Sequence, residues 1–386
     1  MMRKLTALQV MRGIAASLVV VDHSILRHVE WADYPLIMKV AAPYSGTLGV
    51  AVFFVISGFI MMHTAGNQFG KNGASLTFLR KRIVRIVPLY WAATALEVAL
   101  RLRKGGVIDP QALLASLFFI PVPVAPGDYM RPLLGVGWTL NYEMFFYCIF
   151  AATLHFRRKV GLILLFSTLA GLVAIGAMYK PLGDTSAPHT VLTFWTDPII
   201  LLFAAGVAIG LLEESLRGTA SSVHSIPIAA VMLLIWATVF LWIVGSYPVP
   251  LAWQLGGWAV CILSVGLCVF EKPVQTNLAW RAGTHLGDVS YALYLFHFFA
   301  IVAAEKVWWL LLGRDPSILF VAAAYFSSVA AAYAIHHLFE VNLIRLFTPR
   351  SGCSEIALRT PDPNSNATAP QPAPTLQKPA HHYGRK

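Results

Sequence analysis

Charge is what this chain has least of. Asp, Glu, Lys and Arg together make up 12% of its 386 residues, about half the share of a soluble domain. That deficit excludes an ordinary soluble fold, whose surface has to be hydrated. Cysteine is scarce too. Cys148, Cys261, Cys268 and Cys353 have no metal-ligand spacing, and the first three lie inside apolar runs, where they read as ordinary membrane-helix residues. No small-residue cleavage site follows the first apolar run, and more such runs come after it, so a cleavable signal is not expected. The formal charge of +11 would suit nucleic acid, but Lys and Arg fall in short loops between apolar runs. They form no basic face interleaved with aromatics, and no nucleic-acid partner is expected.

What the chain has is apolar length. Hydrophobic residues reach 57% and the mean hydropathy is +0.66, the composition of a polytopic protein embedded in a lipid bilayer. Runs of spanning length lie at roughly 7–28, 47–64, 84–100, 135–156, 160–179, 197–213, 225–245, 251–270, 287–312 and 317–340. The expected fold is therefore all-α, with about ten transmembrane helices in a domain over 1–348. The stretch around 111–124 is apolar but short and ends in prolines, which reads as a re-entrant or interfacial segment. Basic residues orient the whole. Arg80, Lys81, Arg82 and Arg85, then Arg157, Arg158 and Lys159, then Arg217, Lys272 and Arg281 fall on one side, which puts both termini in the cytoplasm. The cluster Arg101, Arg103 and Lys104 falls on the other side against the rule. From about Pro349 the composition turns to Pro, Ser, Thr, Ala, Asn and His, so 349–386 is expected to be a disordered cytoplasmic tail.

The first span, ALQVMRGIAASLVVVDHSILRH over 7–28, contradicts its own hydrophobicity by carrying Arg12, Asp22 and His23. A charge near mid-membrane costs roughly 2.5–3.5 kcal/mol even on forgiving scales. Arg12 and His23 are eleven residues apart, about three turns, so they share a face and stand roughly 16 Å apart along the axis. The plain alternative is an anchor helix with a snorkelling Arg and a satisfied His. Asp22, about 100° around the helix from His23, need not orient it.

Other polar residues in the spans are few. In the second, GVAVFFVISGFIMMH, Ser57 and Gly58 suit close helix packing, and His63 reads as interfacial. Arg82 and Arg85 lie three apart on one helix face, with Pro88 kinking or restarting the helix one turn on. They fit either the positive-inside bias or a phosphate site, for which the permanently charged, forked guanidinium is well shaped. Glu143 lies about two turns inside the fourth span, after Trp138 and Asn141; it is a functional carboxylate or the partner of a buried Arg or His. In the ninth span Tyr291, Tyr294 and His297 fall near one face. His23, Glu143 and His297 come from three helices at similar depth, which suggests one internal polar site.

These residues carry a resemblance. Arg12 with His23 after ten intervening residues, Arg82-x-x-Arg85, FFVISGF at 53–59, WTLNYE at 138–143 and SYALYLFH at 290–297 resemble the acyltransferase-3 family. These are bacterial inner-membrane enzymes that O-acylate polysaccharides and other surface glycans. The likeness runs over roughly 5–345, and the openings LQVMRGIAA and FFVISGFIM look nearest to exopolysaccharide acetylases. It implies a ten-helix core, acetyl-CoA as acyl donor and no metal. It also implies a glycan or lipid-linked oligosaccharide acceptor and a multi-pass location in the inner membrane. No esterase-like domain is expected after the last span.

On that reading the chemistry needs a base, because a sugar hydroxyl is a poor nucleophile at neutral pH. His23 is the first choice, as base or less readily as an acyl-carrying nucleophile. Glu143 or His297 would orient it or bind the acceptor, and Arg12, Arg82 and Arg85 would hold the donor's phosphates. The rival is a proton-coupled transporter or flippase using the same intramembrane His and Glu. It would be expected to show repeats with broken helices at matching positions, and the sequence has no such pair.

Overall fold

Inside hydrocarbon a backbone has to satisfy its own hydrogen bonds, and a chain this apolar does so with helices. The computed structural model of the chain describes residues 5–28, 36–123, 129–180, 188–216, 251–270, 278–313 and 317–347. The helices are α1 (Thr6–Leu26), α2 (Leu36–Ala65), α3 (Ala74–Arg103), α4 (Pro110–Leu117), α5 (Trp138–Thr153), α6 (Arg158–Tyr179) and α7 (Val191–Trp195). They continue with α8 (Leu201–Leu216), α9 (Leu251–Phe270), α10 (Leu278–Asp288), α11 (Ser290–Leu312), α12 (Ile318–Ile335) and α13 (Val341–Phe347). A π-helical stretch, His336–Glu340, joins the last two. Among the described residues there is no strand, only an isolated bridge between Pro123 and Met130.

Among the described residues, seven helical segments are long and apolar enough to cross a membrane: Thr6–Leu26, Tyr44–Ala65, Ala74–Arg103, Arg158–Tyr179, Val191–Leu216, Ser290–Leu312 and Ile318–Leu343. Seven of the expected ten spans are thus met among the described residues. Helix α5 has only 16 residues, about 24 Å against a hydrocarbon core of about 30 Å. In α9 the apolar stretch is Gln254–Phe270. The run at 225–245 and the tail at 349–386 lie outside the described residues. The stretch near 111–124 contributes the eight-residue α4, far too short to span. Asp109 caps it, accepting from the backbone N–H of Gln111 and Ala112 at 3.0 and 3.4 Å.

Burial ranks the helices. In α2 83% of the apolar stretch is buried and in α1 67%, against 22% in α6 and α11, so the first two helices lie centrally and α6 and α11 turn broad apolar faces outward. Small residues make that centre possible, as expected of Gly58. A Cβ on Gly58 would lie 2.1 Å from the Phe203 carbonyl oxygen, and one on Gly206 2.1 Å from that of Val55. Helices α2 and α8 therefore touch backbone to backbone, and Phe203 stacks on Phe54 and Phe146 at 4.5 and 4.4 Å. Helices α1 and α10 meet in the same way, where a Cβ on Gly287 would fall 1.9 Å from the Gln9 carbonyl oxygen. Gly206→Ala is expected to lower the unfolding midpoint in detergent, since overpacking costs at least about 1–3 kcal/mol. Gly171→Ala, in α6 with nothing within 4 Å of the added carbon, should leave it in place or raise it slightly. Equal midpoints for the two variants would refute the backbone-contact account.

Pro88 does not restart its helix: α3 runs through it unbroken. The turn around it is held from outside, with Tyr291 Oη donating to the Ile86 carbonyl at 2.7 Å and Tyr90 Oη to that of Ser116 at 3.0 Å. The exceptional basic cluster gains a partial explanation. Arg101 pairs with Glu97 at 2.6 Å and donates to the Leu133 carbonyl at 2.7 Å, fastening the segment before α5 to the end of α3. His63, expected at the interface, pairs with Glu213 of α8 at 3.2 Å, near the ends of both helices.

Candidate active site

The expected site residues fall into two groups. The first lines a cavity of about 100 Å³ between α1, α2, α3, α5 and α11. Arg12, Arg82 and Arg85 reach it from two helices, and Glu143 faces them from a third. Two of the guanidiniums are set by neighbours. Arg12 donates to Gln9 Oε1 at 3.1 Å, and Gln9 Nε2 donates to Asp288 Oδ1 at 2.8 Å, a relay from α1 to the end of α10. Arg82 lies over the rings of Phe78 and Tyr147 at 5.5 and 5.9 Å and donates to Thr64 Oγ1 at 3.2 Å. Its Nε is buried with no hydrogen-bond partner. Three permanent cations, one with an orphaned donor, suit a polyanionic group such as the phosphates of a nucleotide-bearing donor. Among the described residues no cluster of His, Cys, Asp and Glu could hold a metal ion.

Glu143 belongs to this group and not with the histidines. Ser57 Oγ donates to its Oε1 at 3.0 Å, and the Tyr147 hydroxyl donates to the same oxygen in a short bond. The sequence points to Ser57 for close packing. Its second role was not legible, because the α5 partners it meets are 86 and 90 residues away.

The second group is a pair of histidines. His297 Nε2 lies 3.3 Å from His23 Nδ1, with ring centroids 5.0 Å apart. The hydrogen-bond network assigns their tautomers. His297 Nδ1 faces two carbonyls, of Tyr294 at 2.8 Å and Leu293 at 3.2 Å, so it carries the proton and leaves Nε2 to accept. His23 Nδ1 faces the Val19 carbonyl at 2.9 Å as well as His297 Nε2, so it too carries the proton. The lone pair of His23 therefore sits on Nε2, which has no partner among the described residues. His297 is fully buried, while the His23 side chain is 36% exposed. Of the two, His23 offers a basic nitrogen to an incoming molecule.

Tyr294 separates the two groups. Its hydroxyl lies 2.8 Å from Thr139 Oγ1 and donates to the Val136 carbonyl at 2.9 Å. Both Tyr294 and Thr139 line the cavity and neither histidine does. Beyond the pair, Arg27 and His28 both reach Glu305, at 2.6 and 3.1 Å, and tie the end of α1 to α11.

A family model described as an acyltransferase domain matches residues 5–337, a range holding every residue of both groups. The chain belongs to the acyltransferase-3 family. It is 32% identical over 305 residues to the exopolysaccharide production protein ExoZ of Rhizobium meliloti (strain 1021), covering 78% of this chain and 90% of ExoZ. It is 24% identical over 284 residues to the acyltransferase MdmB of Streptomyces mycarofaciens, covering 66% of this chain and 68% of MdmB. YrhL of Bacillus subtilis (strain 168), named as a candidate peptidoglycan O-acetyltransferase, is 23% identical over 296 residues, which are 68% of this chain and 45% of YrhL. No solved structure matches the chain. The family membership supports the acyltransferase reading over the transporter one.

Proposed function

We propose that this protein moves an acyl group, acetyl in the first instance, from acyl-CoA on the cytoplasmic side to a hydroxyl of an extracytoplasmic or lipid-linked bacterial polysaccharide. It would lie in the inner membrane with about ten spans and both termini cytoplasmic. The observation that carries the reading is the division of labour along α1. Arg12 stands with two further arginines at one end, and about three turns on His23 presents an unpartnered basic nitrogen. The name of the relative ExoZ supports an exopolysaccharide acceptor.

The steps follow from the groups present. Arg12, Arg82 and Arg85 bind the donor's phosphates, and the acyl-bearing arm is directed past Tyr294 toward the histidines. Their axial separation, roughly 16 Å, is comparable to an extended pantetheine arm. His23 Nε2 takes the proton of the acceptor hydroxyl as its oxygen attacks the thioester carbonyl. The carbon–sulfur bond breaks, the proton passes from Nε2 to the departing sulfur, and ester and free thiol result. His297 acts as a positioning residue, its lone pair fixing the orientation of the His23 ring.

The test is directional. Inverted inner-membrane vesicles containing the protein and given acetyl-labelled acetyl-CoA should transfer label to polysaccharide or lipid-linked saccharide, and vesicles lacking the protein should not. Sealed right-side-out vesicles should transfer little. Equal labelling by both orientations would overturn the cytoplasmic donor side, and label restricted to protein or lipid would overturn the acceptor.

A further inference from the structure

Asp22 is the buried charge that the mechanism above leaves idle. It is 7% exposed, and its Oδ1 has no hydrogen-bond partner. A carboxyl in an apolar interior without a partner is destabilising whichever proton state it takes. The helices are nevertheless shaped to hold it. On α2, a Cβ added to Gly46 would lie 2.0 Å from Asp22 Oδ2 and 2.7 Å from its Cγ, so any side chain there would displace the carboxyl. Next to that slot Ser45 Oγ turns away to backbone carbonyls, of Ala42 at 2.8 Å and Leu18 at 3.4 Å, and offers Asp22 nothing. What Asp22 does approach is its neighbour in sequence: Oδ2 lies 4.0 Å from His23 Nδ1. Helical geometry places the two side chains about 100° apart, but the groove against Gly46 brings the carboxyl back toward the imidazole.

At 4.0 Å this is an electrostatic contact and not a hydrogen bond. Its value depends on the charge of His23. The resting ring is neutral and its Nδ1–H is already committed to Val19 and His297, so the carboxyl gains little. Once Nε2 has taken a proton the ring is a cation. Facing it from another helix is then His297 of α11, with its own Nδ1–H committed, while the carboxyl itself has the uncharged Gly46 of α2 against it. From α12, Tyr325 bonds Ser17 at 3.0 Å, further down α1. At the outer end Glu305 is occupied by Arg27 and His28, and Asp288 of α10 is occupied at the Arg12 end.

We infer that Asp22 is a positioning and charge-balancing residue for acyl transfer, its carboxylate stabilising the His23 imidazolium formed when the acceptor hydroxyl gives up its proton. No proton moves to Asp22. The proton goes from the hydroxyl to Nε2 and later to the departing sulfur.

The inference rests on His23 being the base, so the experiment carries both variants. Purified Asp22→Asn keeps the shape and loses the charge. It should bind acetyl-CoA normally while kcat for acyl transfer falls at least about tenfold, the lower end of what one opposite charge at 4–6 Å does to a proton equilibrium. The acidic limb of its rate profile should move to lower pH, because the imidazolium has lost its counter-charge. A residue needed only for packing would move neither. Wild-type turnover and profile in Asp22→Asn, with Asp22→Asn and wild type both far above an inactive His23→Gln, would overturn the role of Asp22 alone. Activity retained in His23→Gln would overturn the base itself. Should Asp22→Asn fail to accumulate, Gly46→Ala poses the same question by displacing the carboxyl while keeping its charge. Reduced kcat with unchanged donor binding is then expected, and wild-type kcat would refute the inference.

Discussion

Purified His23→Gln should lose acyl transfer by about 10²–10⁴-fold, the range a positioned general base contributes, while still binding acetyl-CoA. The amide keeps a polar side chain of similar reach but has no nitrogen lone pair to take a proton. The arginine cavity stands roughly 16 Å away along α1 and does not include His23, so donor affinity should not change. His23→Ala should be as inactive. A histidine that only filled space and hydrogen-bonded would behave in the opposite way. Gln would restore function, and Ala would lower protein level along with activity. The result that would sink the assignment is near-wild-type turnover by His23→Gln. The base would then have to be Glu143 or His297, although Glu143 is held by Ser57 and Tyr147 and His297 is fully buried.

The double variant Arg82→Lys, Arg85→Lys should raise the donor's KM and dissociation constant at least about tenfold, with kcat at saturating donor close to wild type. Lysine preserves the positive charge that orients the loop, so membrane insertion should be unchanged. What it loses is the planar fork that meets phosphate through two parallel hydrogen bonds. At Arg82 it also loses the flat face that lies against Phe78 and Tyr147. Isothermal titration with acetyl-CoA reads the affinity, and reporter fusions after Gly70 read the topology. Normal affinity with normal topology would return both residues to the positive-inside bias alone.

Much of this protein is written along single helices. Scarce charge and long apolar runs determine an all-α membrane protein, because hydrocarbon leaves the backbone no other hydrogen-bond partners. Within one helix, spacing fixes face and height, so Arg12 and His23 could be placed on one stripe, three turns apart, before any fold was known. The motifs at Arg82-x-x-Arg85, WTLNYE and SYALYLFH carried the family for the same reason, since each is contained in one element. The span count is harder to read from sequence. Apolar runs such as that of α5 merge with the turns beside them, and composition does not show where a helix stops.

Only the packing between helices decided which polar groups meet. His23 and His297 are 274 residues apart in sequence, and Glu143 stood beside them by depth but joins the arginines in the structure. The rotation of each helix about its own axis settled that. Small residues govern it at contacts no local pattern reveals: Gly58 and Gly206 lock α2 to α8, and Gly287 locks α10 to α1. The slot at Gly46 likewise turns Asp22 toward a histidine that its position on the helix pointed it away from. Helical periodicity supplies angles around a single axis, and the angle between axes comes from close packing across the whole bundle.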